Sequence, residues 1–343
     1  MNLSFNKKKS LVIITCLLAT NLVTYYFTAK KSDPKKEATD EESNSSLYSN
    51  NGACAVKIER LSGYDYIKPL LFVDKECEAD ELLPLKQSVT NLITNYKNSG
   101  VLNSASVYLK EYSTNNWFSI NPEEEYQPGS LLKVPELIAY LKMNELKPGV
   151  LDKKIKYNHI APTGLKQNFK SKSIALGQEY TIRELLTYMI AYSDNNATAI
   201  LNSNIDVTVF RKVFTDLGLK YPGDGNSTIK PKEYTLFMRT LYNSSYLNKE
   251  DSEYATELLG RCNFKEGLVS GIPSSITIAH KFGESGNLSE QQLHESGIIY
   301  LNNNPYVLTV MTKGKEYKKL PEVIKEISSI VYQSMLNNSN SSL

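Results

Sequence analysis

The sequence predicts an α+β fold, with one antiparallel sheet flanked by helices and a separate all-helical lobe. Two observations lead to this class. Segments with the alternating pattern of strands occur near both ends of the folded part, and a block of helical patterns lies between them. We therefore expect the first hairpin and the last three strands to form a single sheet, and the middle helices to form the second lobe.

The chain has 343 residues, of which 41% are hydrophobic, and a formal net charge of +2. That length suits one large domain or two small ones. The nearly balanced charge provides no basic surface of the kind that binds nucleic acid, so a nucleic-acid partner is not expected. No internal repeat is present.

Residues 1–29 are predicted to be an N-terminal membrane anchor. A cluster of lysines at 7–9 precedes an uncharged run over residues 11–28, which is long enough to cross a bilayer as a helix. The lysines predict that this end lies inside the cell and that the rest is extracytoplasmic, as a single-pass membrane protein. The alternative is a cleaved signal peptide and a secreted protein. Cleavage after Ala29 would place bulky Phe27 where a small residue is usual.

The composition then divides the rest of the chain. Residues 30–53 are almost free of apolar side chains and predict a disordered tether. The folded domain is expected over residues 54–336, followed by a frayed tail at 337–343. Cys54 and Cys77 could pair in an oxidising compartment, and Cys262 is expected to be a small buried hydrophobe.

The folded part opens with a helix and a hairpin. Apolar residues at helical spacing predict a helix over Leu82–Tyr96. Alternation predicts a strand over Ala105–Tyr112, and Trp117–Ile120 is its expected hairpin partner across a Ser-Thr-Asn-Asn turn.

Four helices are predicted next. The first covers Leu131–Met143 and follows a Pro-Gly-Ser turn. Thr181 and the glutamate three residues later form a capping box that starts a helix over Ile182–Tyr192. Further helical patterns cover Pro231–Tyr242 and about Asp251–Leu259.

The last part returns to strands. Three strand-like segments cover Ile276–Phe282, Ser296–Leu301 and Tyr306–Met311, and an asparagine turn at 302–304 joins the last two. A helix with one apolar face over Leu320–Met335 ends the domain.

A Ser-x-x-Lys pair is the first candidate for chemistry. The motif begins at four positions, which are Ser4, Ser32, Ser130 and Ser227. Only Ser130 opens a helix with an apolar face. On a helix, Lys133 shares a face with Ser130, and a neutral lysine amine can take the serine proton and make the hydroxyl a nucleophile. The ordinary structural interpretation is a helix-capping serine.

Two further motifs follow in order. Ser193-Asp194-Asn195 comes directly after a predicted helix, where turn residues are common. Lys281 lies at the end of a predicted strand, and Gly283 allows a ligand to approach the backbone there.

Ser-x-x-Lys, Ser-Asp-Asn and Lys-x-Gly in this order resemble the signature of the penicillin-recognising serine enzymes, which include the class A β-lactamases and the D-alanyl-D-alanine peptidases. The resemblance spans about Leu102 to Met335 and is nearest to the class A branch. It implies the β-lactamase/D,D-peptidase-like fold and a site with no cofactor.

The resemblance also implies residue roles. Ser130 attacks a carbonyl and is acylated, and Lys133 takes its proton. Ser193 relays a proton to the leaving nitrogen. Asn195 binds the substrate amide, and Lys281 provides positive charge for a substrate carboxylate.

The strand after Lys281 carries the remaining expected binding residues. The backbone N–H groups of Ser130 and Glu284 are expected to form the oxyanion hole, beside Gly283. Ser285 is the hydroxyl available to replace the threonine that the family has between Lys281 and Gly283.

Two departures from the family pattern limit the substrate prediction. Class A β-lactamases activate the deacylating water with a glutamate, but no glutamate lies between Asn196 and Ser227. The threonine of Lys-Thr-Gly is Phe282, and Glu284 adds a negative charge nearby. Both departures argue against efficient penicillin turnover.

A metal site or a histidine-based triad is not expected. The three histidines, at 159, 280 and 294, have no His-x-x-x-His spacing, and no Cys-x-x-Cys pair is present. We interpret the histidines as structural or surface residues.

Three hypotheses remain open. The first is an anchored serine hydrolase of the class A β-lactamase type, acting on a β-lactam or related amide. The second is a peptidoglycan D-Ala-D-Ala carboxypeptidase or penicillin-binding protein, acting on a stem peptide. The third is a non-catalytic wall-binding module on the same scaffold.

Overall fold

A computed structural model describes residues 54–158, 168–169, 171–224, 228–287, 289–302 and 304–341. The predicted anchor and tether, His159 and the last two residues of the predicted tail lie outside these ranges. Among the described residues, no helix has both the length and the apolar character needed to cross a membrane.

The central sheet has five antiparallel strands and is built from both ends of the domain, as predicted. The strands are β3 (Leu102–Glu111), β4 (Trp117–Ile120), β7 (Ile278–Gly286), β8 (Gln291–Ile299) and β9 (Tyr306–Gly314). Their order is β4-β3-β9-β8-β7, which places β7 at one edge. The register aligns Lys281, Ser296, Thr309 and Tyr108 in one row across four strands.

Two helices cover one face of the sheet, as their apolar stripes predict. They are α1 (Leu83–Asn98) and α8 (Leu320–Ser341). Their buried side chains form one core with alternate residues of the strands, such as Val107 and Leu308. Residues 337–341, expected to belong to a frayed tail, continue α8.

The other face of the sheet packs against the predicted helical lobe. Its helices are α2 (Lys133–Leu146), α3 (Ile182–Ala191), α4 (Asn195–Asn202), α5 (Val207–Thr215), α6 (Pro231–Tyr242) and α7 (Lys249–Gly260). This second core includes Ala279, Ile298 and Val307 from the sheet. The capping box of Thr181 and Glu184 at the start of α3 is present as predicted.

Two hairpins and two helices were not predicted. The hairpins pair β1 (Val56–Arg60) with β2 (Leu70–Lys75) and β5 (Lys154–Lys156) with β6 (Glu179–Thr181). The unpredicted helices, α4 and α5, are short and begin at the aspartate caps Asp194 and Asp206. Capping and tertiary packing define these helices more than any long apolar repeat does.

The cysteines behave as the sequence allowed. Cys54 and Cys77 form a disulfide with a Cα–Cα distance of 5.8 Å, which joins the two ends of the β1–β2 hairpin. Cys262 is free and buried.

Candidate active site

Ser130 lies in a tight turn that leads into a buried helix. The turn Gly129–Leu132 is a 3₁₀ helix, and α2 follows directly from Lys133. Ser130 is half-buried, whereas Lys133 is only 3% exposed. The sequence predicted an α-helix from Leu131, whereas the structure has a 3₁₀ turn over Gly129–Leu132 before the α-helix. Ser130 therefore lies in the turn that precedes the α-helix.

Strand β7 passes very close to this turn, and two glycines make the approach possible. Gly129 has a φ of +53°, and a Cβ there would lie 2.3 Å from the carbonyl oxygen of Glu284. A Cβ on Gly283 would lie 2.3 Å from the oxygen of Pro128 and 2.8 Å from the nitrogen of Leu131. The backbone of β7 and the backbone of the Ser130 turn therefore face each other without side chains between them.

Lys133 is held by the residues of the Ser-Asp-Asn motif. Its Nζ donates to the carbonyl oxygen of Ser193 at 2.7 Å and to Oδ1 of Asn195 at 2.8 Å. It also lies 3.1 Å from Oγ of Ser193. These bonds bring together two sequence-predicted motifs that lie 60 residues apart.

Lys281 reaches the same serine from the sheet. Its Nζ lies 3.0 Å from Oγ of Ser193 and donates to the carbonyl oxygen of Phe282 at 2.9 Å. Lys281 is fully buried. Ser193 has a φ of +52°, a strained value for a serine, and this backbone turn aims its hydroxyl between the two lysines.

The buried amines titrate near neutral pH. Burial, followed by the charge of Lys281, lowers the pKa of Lys133 to about 7. Burial lowers the pKa of Lys281 to about 8. A substantial fraction of Lys133 is therefore neutral at physiological pH, as a general base requires.

Asp194, the middle residue of the Ser-Asp-Asn motif, holds the motif in place. Its carboxylate accepts the backbone N–H of Asn196 and so caps α4. It also accepts the hydroxyl of Ser173 at 2.8 Å and the N–H of Ile174 at 3.0 Å. These bonds fix the backbone that follows Ser193 and connect it to the segment of Ser173 and Ile174.

Glu284 and Ser285 are both engaged by the protein. The Glu284 carboxylate accepts the N–H and the side-chain amide of Asn168, at 2.9 Å and 3.0 Å, and the N–H of Phe169. The Glu284 carboxylate thus binds the segment of Asn168 and Phe169, which the sequence did not connect with the site. The Ser285 hydroxyl donates to the carbonyl oxygen of Gln127 at 2.7 Å.

Phe282, which replaces the family threonine, is a core residue. Its ring stacks on Phe264 with centroids 4.4 Å apart and meets Phe169 edge-on at 5.0 Å. Only 1% of its surface is exposed. The side chain that replaces the family threonine therefore packs in an aromatic cluster with Phe264 and Phe169.

Glu136 is a buried acid that the sequence analysis missed. It lies one helical turn after Lys133, is 6% exposed, and its Oε2 has no hydrogen-bond partner in the described part of the chain. Burial raises its pKa to about 7, although the charge of Lys133 opposes this rise. The signal in the sequence was a glutamate at i+3 from Lys133 in an otherwise apolar run.

The aspartates after Asn195 are bound elsewhere. Asp206 caps α5, Asp216 accepts the hydroxyl of Tyr246, and Asp224 pairs with Arg211. Each acid in this segment therefore has a structural partner outside the Lys133 network.

The two described histidines are structural, as interpreted from the sequence. His280 lies 2.7 Å from Oε1 of Glu295, and both are fully buried. Burial lowers the pKa of His294 to about 3, so its ring is neutral. Its Nδ1 accepts the N–H of Thr312, and its Nε2 donates to the oxygen of Gln127.

Comparison with known proteins gives one family match and many structural matches. A family model described as "Beta-lactamase enzyme family" matches residues 84–335. No curated protein matches the chain by sequence.

Among solved structures, PBP-A is similar with a TM-score of 0.63 and 21% identity, over 75% of this chain and 97% of that one. A class A β-lactamase from Mycobacterium abscessus gives 0.60 and 21%, over 73% and 98%. A β-lactamase from Francisella tularensis gives 0.61 and 20%, over 74% and 99%. These matches show that the fold is that of the class A β-lactamases and PBP-A.

Proposed function

The chain belongs to the β-lactamase enzyme family, and from that premise we propose that it forms an acyl-enzyme on Ser130 with a β-lactam or a related amide. In this proposal it is a membrane-anchored, extracytoplasmic serine hydrolase. The observation that carries the proposal is the buried network in which Lys133, Asn195, Ser193 and Lys281 are joined by hydrogen bonds beside the Ser130 turn.

The proposed acylation uses the groups as follows. Neutral Lys133 takes the Ser130 proton as Oγ attacks the substrate carbonyl. The N–H groups of Ser130 and Glu284 stabilise the oxyanion, which the close approach of Gly129 to the Glu284 backbone supports. Ser193 passes a proton to the leaving nitrogen, and Lys281 attracts a substrate carboxylate.

Deacylation is proposed to be slow. The segment after Asn195 has no glutamate to activate water, and its aspartates have other partners. A β-lactam adduct should therefore persist. A mutant of PBP-A at 20% identity is described as an acyl-enzyme complex with penicillin G, which fits chemistry of this kind on this fold.

The second candidate function is a peptidoglycan D-Ala-D-Ala carboxypeptidase. The same acylation machinery would act on a stem peptide, and the missing glutamate and the similarity to PBP-A favour it. A non-catalytic wall-binding module is the remaining alternative. Phe282 and the engaged Glu284 favour that alternative, whereas the near-neutral pKa of Lys133 favours an enzyme.

The Cys54–Cys77 disulfide supports the extracytoplasmic location, because disulfides persist in oxidising compartments. The apolar run at residues 11–28 is the proposed anchor, and signal-peptide cleavage is its alternative. Detection of residues 1–29 in the protein from membranes would support the anchor, and their absence would support cleavage.

The decisive experiment is intact-mass spectrometry of the full-length chain after incubation with a penicillin. Ring opening adds the whole mass of the penicillin to Ser130, so a persistent adduct of that mass supports slow deacylation. Rapid turnover of a chromogenic cephalosporin supports the β-lactamase function instead. Ser130→Ala is the control and should give no adduct. Absence of an adduct with penicillins and with broad serine-directed probes would refute both enzyme functions.

A further inference from the structure

A cavity lies away from the Ser130 turn, between β2, the end of β3 and the C-terminal end of α6. Its volume is about 480 Å³, within the usual range for small-molecule sites. It is lined by Leu70, Leu71, Phe72, Val73, Lys110, Tyr112, Asn115, Arg239, Asn243, Ser244 and Ser245. Strand β3 lies three strands from β7, a separation of about 14 Å across the sheet.

The charges at this cavity are not balanced. Arg239 and Lys110 are each 2% exposed. Both pair with Asp74, at 2.6 Å from Nη2 of Arg239 and 2.9 Å from Nζ of Lys110. Burial, with the charge of Arg239 adding to it, lowers the pKa of Lys110 to about 8, so at neutral pH two cations share one carboxylate. An uncompensated buried cation is costly, and an anion in the cavity would remove that cost.

Three of the residues that line the cavity have a polar side-chain atom without a hydrogen-bond partner among the described residues. Within the described residues, Nε of Arg239, Oη of Tyr112 and Oγ of Ser245 are buried without a hydrogen-bond partner. Buried polar groups in native proteins are rarely left unpaired, and where they are, a bound molecule or water is a common reason. All three groups belong to residues that line the cavity.

Apolar side chains line the cavity as well. The ring of Phe72 lies 4.3 Å from Cζ of Arg239 and covers one face of the guanidinium. Leu70 and Val73 are among these apolar side chains and are 45% and 39% exposed. An occupant would therefore meet positive charge from deeply buried side chains and apolar contact from side chains that are open to solvent.

We propose that this cavity binds a small organic carboxylate, with its charged end toward Lys110 and Arg239 and its apolar part along Leu70 and Val73. A free inorganic anion would satisfy the charge but leave the exposed apolar side chains in water. The β1–β2 hairpin that forms one wall precedes residue 84, where the family match begins, so this wall lies outside the matched region.

Trp117 provides a direct test. It is the only tryptophan of the chain and pairs with Lys110 across β3 and β4. Titration of the full-length chain with benzoate should change its fluorescence in a saturable way. Benzamide, which has the same shape without the charge, and inorganic phosphate should each bind about ten-fold more weakly or worse. Equal binding of benzoate and benzamide would overturn the proposal.

Variants at the exposed Leu70 locate the binding without endangering the fold. Leu70→Glu places a negative charge at the cavity and should weaken benzoate binding about ten-fold, whereas Leu70→Lys should leave it unchanged or tighter. Lys110→Met should also weaken it, and Lys313→Met, which removes a half-buried lysine elsewhere, should not. If Leu70→Glu and Leu70→Lys bind benzoate alike, the carboxylate does not bind in this cavity.

Discussion

Ser193 Oγ lies 3.1 Å from Nζ of Lys133 and 3.0 Å from Nζ of Lys281. A protonated lysine can only donate to this hydroxyl, whereas a neutral one can accept its proton. Burial lowers the pKa of Lys133 to about 7, so near neutral pH this amine can either donate a hydrogen bond to the Ser193 hydroxyl or accept one from it. The local chemistry of the proposed proton relay therefore depends on what surrounds Lys133.

Glu136 is the neighbour that we expect to tune Lys133. Its negative charge raises the pKa of Lys133 against burial and the charge of Lys281, which lower it. Glu136→Gln should therefore lower that pKa, and the rise of penicillin-labelling rate with pH should shift to lower pH. Labelling rates measured across a pH series would test this. Glu145→Gln on the same helix is the control, and an unchanged or higher midpoint in Glu136→Gln would contradict the prediction.

We expect that replacing Phe282 with the threonine of the family pattern destabilises the protein. Phe282→Thr removes a ring that stacks on Phe264 and should lower the free energy of unfolding by about 3 kcal/mol or more. It should not increase β-lactam turnover. Denaturant unfolding measures the first effect, and Phe282→Leu, which keeps most of the volume, should cost about 1 kcal/mol. A stable Phe282→Thr with faster turnover would show that the residue belongs to the site.

At the scale of elements, the site depends on the contact between β7 and the Gly129–Leu132 turn. Neither element could hold the other this close with a side chain at Gly283, because the nearest atoms belong to rigid backbone. The proposed oxyanion hole needs donors from both elements within hydrogen-bond distance of one oxygen.

Gly283→Val tests this contact. Its side chain would push β7 away from the turn and should slow penicillin labelling about 100-fold or more, because a displacement of about 1 Å is enough for such a loss. Gly260→Ala is the matched control, since the nearest atom to a Cβ there is 3.8 Å away. Normal labelling of Gly283→Val would mean that the backbone of β7 takes no part in acylation.

The sequence predicted the elements with strong local patterns. Helix α6 and strand β4 have the predicted bounds, because a proline start and an apolar alternation are signals carried by adjacent residues. The β1–β2 hairpin was missed, since β1 is largely exposed and the disulfide and ion pairs of the hairpin join distant residues. Glu136 was missed because acids are common in the first turn of exposed helices, and only the tertiary structure buries this one.

At the scale of the molecule, Asp74 joins three parts of the fold. It lies on β2, binds Arg239 of α6 with two hydrogen bonds, at 3.0 Å and 2.6 Å, and pairs with Lys110 of β3. The hairpin outside the family match is thereby fixed to both the helical lobe and the sheet.

Asp74→Asn should destabilise the whole chain by about 3 kcal/mol, because it leaves two buried cations without a counter-charge. Burial would raise the pKa of Asp74, but Arg239 and Lys110 hold it below 3.8. Its stabilisation is therefore complete above pH 3.8 and is lost as the pH falls through the lower, folded pKa. The free energy of unfolding, measured as a function of pH, should fall at low pH less in the variant than in the unmodified chain, because the variant has no Asp74 carboxylate to protonate. Asp224→Asn, which breaks an exposed pair with Arg211, should cost much less, and an equal cost for both variants would contradict the prediction.

The buried ionisable groups near the proposed site should also change their protonation when a ligand binds. Burial raises the pKa of Glu136 to about 7 and lowers the pKa of Lys133 to about 7 and that of Lys281 to about 8, so the charge of each group is sensitive to a ligand bound beside it. A ligand that brings a carboxylate next to Lys281 favours the protonated amine, and we expect its binding to draw a proton from the buffer. Calorimetric heats of binding would then differ between phosphate and Tris, whose protons are released with different enthalpies, even where the affinity is the same.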